Sequence, residues 1–377
     1  MKRNIFLRRI ILLQLFGLLY LPFQSTAQGT QATVKDDLDT AIEALMEKHN
    51  IPGLSIAFMK DALPGERRTY GSLQKGQDSP INEETVFSVG SVSKVGNAIL
   101  TLKLVNEGKL DLDEDVNTYL KSWKVEQGPF NAEQAVTLRH LLSHTAGFSV
   151  HGFADYYPGA KLPETTQILD SKGPAKNAKV KLIFPVGSKF KYSGGGITVI
   201  QQIIEDVTGL TYHEAAETYL FKPLGLERSS FENPLPETFG NIAKAHNKNG
   251  KAVALPRGYQ AMPEKAASGL WTSPSDLLKM LSAVMQSEQG SADAFLSPEI
   301  VKDMIDPEQA SEFGLGPKIA YRDDYHIVEH GGSNESYKAQ FTLFWKKKSG
   351  YAIFTNGSYG TRLIRELEPI LEKYLMK

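Results

Sequence analysis

Residues 87–94 read Phe87-Ser88-Val89-Gly90-Ser91-Val92-Ser93-Lys94, and the chain changes its period there. From this point Val92, Val95, Ile99, Leu102 and Val105 recur at helical spacing, and Gly108 ends the run. Ser91 and Lys94 thus open a helix three residues apart, which puts both side chains on one helical face. In the first turn, Ser91 has an amide N–H without an intrahelical acceptor, in the positive end of the helix dipole. A serine hydroxyl is a weak nucleophile until a base takes its proton. A lysine can do so when burial and a neighbouring cation lower its pKa. The same Ser-x-x-Lys spacing occurs at Ser72/Lys75, in a turn rich in Gly and Asp, and at Ser188/Lys191, after Pro185-Val186-Gly187. Neither setting holds two side chains in fixed geometry. On spacing alone, a plain helix cap at Ser91 with a surface lysine at position 94 remains an open reading.

Working outward, Leu38, Ile42, Leu45 and Met46 predict a helix ending near His49. Gly53 to Lys60 reads as a buried strand, with Arg68 to Leu73 as its partner across a Pro64-Gly65 turn. Downstream, 138–143 is a short apolar turn, and 197–207 and 212–220 are helical. Ser273-Pro274 and Ser297-Pro298 each place a cap and a first-turn proline at a helix start. Runs at 315–321, 325–330, 338–346 and 351–355 read as strands, and an amphipathic helix covers 362–375. Strands at both ends with helices between them predict an α+β fold, an antiparallel sheet flanked by helices plus a helical lobe. The sheet lobe is assigned to about 28–88 and 240–377, and the helical lobe to about 89–239. Segment 149–182, with little periodicity, has the character of a loop bordering a binding site.

Composition narrows the function. The chain has 377 residues, with 42 basic and 43 acidic side chains, and no cysteine. Disulfides, thiolate metal sites and cysteine nucleophiles are excluded. A net charge of −1 gives no argument for binding nucleic acid. Lys2, Arg3, Arg8 and Arg9 precede an apolar stretch at 10–21, and Ser25-Thr26-Ala27 follows as a cleavage signal. Residues 1–27 therefore read as a secretory signal peptide, since the apolar run is short of the roughly 20 residues a spanning helix needs. Its removal leaves 38 basic and 43 acidic side chains, a charge of −5. An exported protein, periplasmic or secreted, without a stable membrane anchor is expected. Oligomeric state has no signature in the sequence.

The stretch 87–94 resembles the nucleophile motif of the penicillin-recognising serine hydrolases, in particular the branch related to class C β-lactamases, which includes D-Ala-D-Ala peptidases, D-aminopeptidases and esterases. The resemblance continues in order. Residues 136–148 (Val-Thr-Leu-Arg-His-Leu-Leu-Ser-His-Thr-Ala-Gly-Phe) are similar to a structural turn of that branch. Phe190-Lys191-Tyr192-Ser193-Gly194 falls where its Tyr-x-Asn motif belongs, and Pro223-Leu224-Gly225-Leu226 and Ser268-Gly269-Leu270-Trp271 also match. His330-Gly331-Gly332 stands where the family carries Lys-Thr-Gly or His-x-Gly. The matches span about 40–357.

The resemblance implies acylation of Ser91, with Lys94 and Tyr192 sharing proton transfer and either able to act as base. It implies an oxyanion hole from the backbone N–H groups of Ser91 and Ser333. His330, Gly331, Gly332 and Gly194 would face a small-molecule or peptide substrate, and no cofactor or metal is called for. Two departures stand out. Gly194 replaces the asparagine of Tyr-x-Asn, and His330 replaces a permanently charged lysine. Both suit a peptidase or esterase acting on D-amino-acid peptides or small esters and amides better than an efficient β-lactamase. A true β-lactamase and a non-catalytic binding protein of the same fold are the alternatives. His140 and His144 have i, i+4 spacing without an apparent third ligand, and Asp111, Asp113 and Asp115 read as a solvated turn. Tyr156 and Tyr157 suit a cleft border or a core cover equally.

Overall fold

The computed structural model describes residues 36–253 and 260–376; the signal-peptide assignment lies outside them. Strand β1 (Gly53–Lys60) forms a hairpin with β2 (Leu63–Gly71). Two-residue strands β3 (Phe87–Ser88), β4 (Ser229–Ser230) and β5 (Trp271–Thr272) make a small sheet of their own, in the order β3-β5-β4. Strands β6 (Lys318–Arg322), β7 (Tyr325–Ser333), β8 (Lys338–Phe344) and β9 (Ser349–Thr355) complete the main sheet. Its order is β2-β1-β9-β8-β7-β6 and every pairing is antiparallel. The α+β expectation holds.

The main sheet is covered on both faces, which explains the near-continuous burial of β1. Leu54, Ile56 and Phe58 point to one side, with Tyr351 and Ile353. There they meet Leu38, Ile42 and Met46 of the first helix (Asp37–His49) and Leu363, Leu367 and Leu371 of the last (Gly360–Leu375). Ala57, Met59, Ala352 and Phe354 point the other way, into the larger core that includes the helical segments. Both cap predictions hold. The side chains of Ser273 and Ser297 accept from the N–H groups of Asp276 and Ile300, opening helices Pro274–Ser287 and Pro298–Ile305.

Two expectations need correction. The first hairpin turns at Asp61-Ala62, not at Pro64-Gly65. Both turn residues have positive φ (53° and 61°), as a two-residue hairpin turn requires. Pro64 instead sits in β2, paired with Met59. β2 is an edge strand, where the missing N–H costs least. The second correction concerns the helix after Ser91, Ser93–Asn106. It does not present one apolar face; Ser93 through Leu102 are all buried, with Asn97 and Thr101 included. This helix runs through the core, and burial on all sides fixes the position of its first turn.

Candidate active site

Residues Gly90–Val92 form a 3-10 turn leading straight into the buried helix. Three contacts anchor it. Val89 N–H donates to Leu270 O, the Ser93 hydroxyl donates to Gly90 O, and Leu270 N–H donates to Ser93 Oγ. The 268–271 segment singled out in the sequence is therefore the backing of the nucleophile turn. Gly269 is required there, because a Cβ would lie 2.7 Å from Lys265 Cα and 2.8 Å from Asn233 Nδ2.

Lys94 Nζ lies 3.1 Å from Ser91 Oγ and donates at 2.8 Å to Ala267 O. Its side chain is 1% exposed, and burial lowers its pKa to about 7. Lys94 thus exists partly as a free amine near neutral pH, with its lone pair available to the Ser91 proton. Tyr192 lines the same cleft as Ser91, with its hydroxyl near enough to interact with the serine, and Lys94 Nζ is 5.0 Å from its ring centroid. Burial pushes the Tyr192 phenol upward and outweighs the interaction with Ser91, which opposes it. At neutral pH this phenol is neutral and can pass a proton rather than start by accepting one.

Strand β7 brings the remaining predicted residues to the same point. A Cβ on Gly332 would lie 1.8 Å from Val89 O, and one on Gly90 only 2.6 Å from Ser333 N. Only glycine at both positions lets the strand backbone touch the nucleophile turn, and this sets the Ser333 amide beside Ser91. Gly331 lies one residue out, where a Cβ would meet the Gln340 side chain. Ser91, Tyr192, His330, Gly331, Gly332 and Ser333 all line one cleft of about 960 Å³. Gly194 begins the helix Gly194–Thr208, directly after Tyr192 and the capping Ser193.

His330 is 5% exposed. Its Nδ1 lies 2.7 Å from Gly331 O, an oxygen that can only accept, so Nδ1 carries the hydrogen and Nε2 the lone pair. Burial, reinforced by the Lys94 charge, lowers its pKa to about 3. The group in the place of the family's lysine is therefore a neutral imidazole at physiological pH.

Sequence reasoning missed two histidines. His144 is buried, with its ring centroid 4.3 Å from that of Tyr192, and its Nδ1 accepts the Ser193 N–H at 3.3 Å. His151 lies on the cleft side of Tyr192, centroids 4.9 Å apart. The i, i+4 spacing of His140 and His144 suggested a shared face, but the helix ends at Leu142 and the two diverge. His140 belongs to a capping box with Thr137, whereas His144 takes a positive φ (60°) and turns toward Tyr192. Elsewhere, Asp113 binds Arg139 at 2.7 Å, and Asp115 caps the turn that follows it. Tyr156 is buried as a core cover, whereas Tyr157 is exposed and its hydroxyl donates to Glu335 at 3.1 Å.

An α+β body with a Ser-x-x-Lys pair at the start of its buried helix and a Gly-rich strand against it defines a β-lactamase-like serine hydrolase. The chain belongs to the Beta-lactamase family, whose model matches residues 38–373. It is 26% identical to the esterase EstB of Burkholderia gladioli over 369 residues, covering 88% of this chain and 90% of the esterase. It is 23% identical to the flp protein of Staphylococcus aureus strain MRSA252, and covers 65% of that protein's length. The penicillin-binding protein homologue of Pyrococcus abyssi superposes with a TM-score of 0.66 at 25% identity, over 85% of this chain and 73% of that one.

Proposed function

We propose that the protein is an exported serine hydrolase that cleaves small esters, or amides of D-amino-acid peptides, through a Ser91 acyl-enzyme. One observation carries this reading: Ser91 Oγ lies 3.1 Å from a buried lysine amine whose pKa falls to about 7. Lys94 takes the Ser91 proton as Oγ attacks the substrate carbonyl. The Ser91 and Ser333 N–H groups receive the oxyanion. Tyr192 gives its proton to the departing oxygen or nitrogen and is reprotonated from Lys94, which restores both groups, and water then attacks the Ser91 acyl-ester in the reverse sequence. The depressed lysine and elevated phenol favour Lys94 as the first base.

The neutral His330 supports esters and amides over β-lactam drugs, since a carboxylate-bearing substrate finds no permanent cation at that position. The esterase among the relatives agrees with this preference. The test compares p-nitrophenyl butyrate, a D-Ala-D-Ala peptide and a chromogenic cephalosporin on one preparation. Turnover of the ester or the peptide at least about 100-fold faster than the cephalosporin is expected, about 3 kcal/mol of transition-state stabilisation lost with the ionic contact. The opposite ranking would identify a β-lactamase, and inertness toward all three a binding protein. Export is tested separately by the amino terminus of the protein recovered from its host, expected to begin at Gln28.

A further inference from the structure

We propose that His151 is a specificity-determining residue that stands in, from a neighbouring loop, for the side-chain amide missing at Gly194. The inference rests on the serine-hydrolase reading above and deepens it, by naming substrates with an amide next to the scissile carbonyl.

The space beside Gly194 is occupied. A Cβ there would lie 3.0 Å from Phe153 Cε2 and 3.1 Å from His151 O. Segment 149–153 therefore fills the space into which a longer residue 194 would project. Its backbone is locked onto the start of helix Gly194–Thr208. His151 O accepts the Gly194 N–H and Val150 O the Gly195 N–H, both at 3.0 Å, and the Ser193 hydroxyl donates to Ser149 O at 2.7 Å. These donors are the N–H groups a helix start leaves without intrahelical acceptors. Val150 takes φ = 63°, a left-handed conformation that a β-branched residue rarely accepts. Strain of this kind persists only where the surroundings impose it, and it gathers at functional sites.

The outcome of this locked bend is the position of His151. Its exposed ring stands 4.9 Å from Tyr192, in the cleft that holds Ser91. An imidazole offers one hydrogen-bond donor and one acceptor, as a side-chain amide does along one edge. It can therefore meet the N–H or C=O of a substrate amide beside the reacting carbonyl.

The test compares p-nitrophenyl butyrate with the p-nitrophenyl ester of N-acetyl-D-alanine. His151→Ala is expected to lower the preference for the amide-bearing ester about tenfold, through KM rather than kcat, as loss of one hydrogen bond predicts. His151→Asn should recover most of it. Gly194→Asn should lower Tm, because Phe153 and the His151 carbonyl block the side chain. A His151→Ala protein that slows on both esters equally and melts earlier would overturn the proposal in favour of a purely structural role. So would one whose preference is unchanged. A wild-type protein that cleaves neither ester and takes no fluorophosphonate on Ser91 would instead remove the hydrolase reading, and this inference with it.

Discussion

Lys94 is the residue on which the chemistry turns, and it is held at a cost. A buried lysine with its pKa lowered from 10.5 to about 7 binds its proton more weakly folded than unfolded. Between those pH values the unfolded chain holds more protons, so stability rises with pH across this window and the penalty is complete below about pH 7. Lys94→Met should therefore raise Tm, with the largest gain below pH 7, on the order of 5 kcal/mol at most. The same variant should lose at least about 100-fold in turnover, the lower range for a missing general base. Equal melting profiles for variant and wild type across pH 6–10 would show that the amine is solvated and not depressed. For the wild type, kcat/KM should rise with pH through about 7 as Lys94 becomes neutral. Tyr192→Phe should cut turnover by about 100-fold or more with little change in Tm, because the ring contacts with His144 and Lys94 remain.

The elements place these residues through two close approaches, and glycines report them. Gly332→Ala puts a methyl group 1.8 Å from Val89 O and must push β7 off the nucleophile turn. Gly331→Ala meets only the end of the flexible Gln340 side chain. The first variant should be inactive and less stable, by about 1–3 kcal/mol for an overpacked site. The second should keep its Tm within about 2 °C of the wild type, a shift near 0.5 kcal/mol for a chain of this size. Thermal melts and ester turnover on the two proteins give the comparison. Much at this scale was legible. Period and caps located the outer helices and the last four strands, because those signals are local. The turn at Asp61-Ala62 was not, since alanine rarely takes the positive φ it adopts there, whereas Pro64-Gly65 carries the ordinary turn signal. Nor was the burial of Ser93–Asn106 on every side, because Asn97 and Thr101 read as solvent-facing until tertiary packing encloses them. Spacing put Ser91 and Lys94 on one helical face but left a plain cap open; the family resemblance was needed to make them a catalytic pair and to add Tyr192. His144 and His151 reach the site through left-handed backbone at His144 and Val150, which no periodicity encodes.

Across the whole molecule, segments far apart in sequence are tied by Arg139, which binds Asp113 at 2.7 Å, Glu308 at 2.8 Å and Asp303 at 3.0 Å. Arg139 holds the Asp113 carboxyl below its usual range. That contribution is present above the pKa of an unfolded aspartate and is lost as pH falls through the lower folded value. Arg139→Leu should therefore melt earlier at pH 7 and converge on the wild type only as pH falls below the lowered folded value of Asp113. A constant gap in Tm across that range would assign the effect to packing instead. The fold's larger task is to bring the start of one buried helix, the end of one strand and one loop to a single carbonyl-sized point. The measurement that tests this most directly is the intact mass of the protein after exposure to a fluorophosphonate or a penicillin, followed by peptide mapping. One adduct per chain on the peptide containing Ser91, absent from Ser91→Ala, is the predicted result. An adduct that persists in Ser91→Ala, or maps to another serine, would contradict the account.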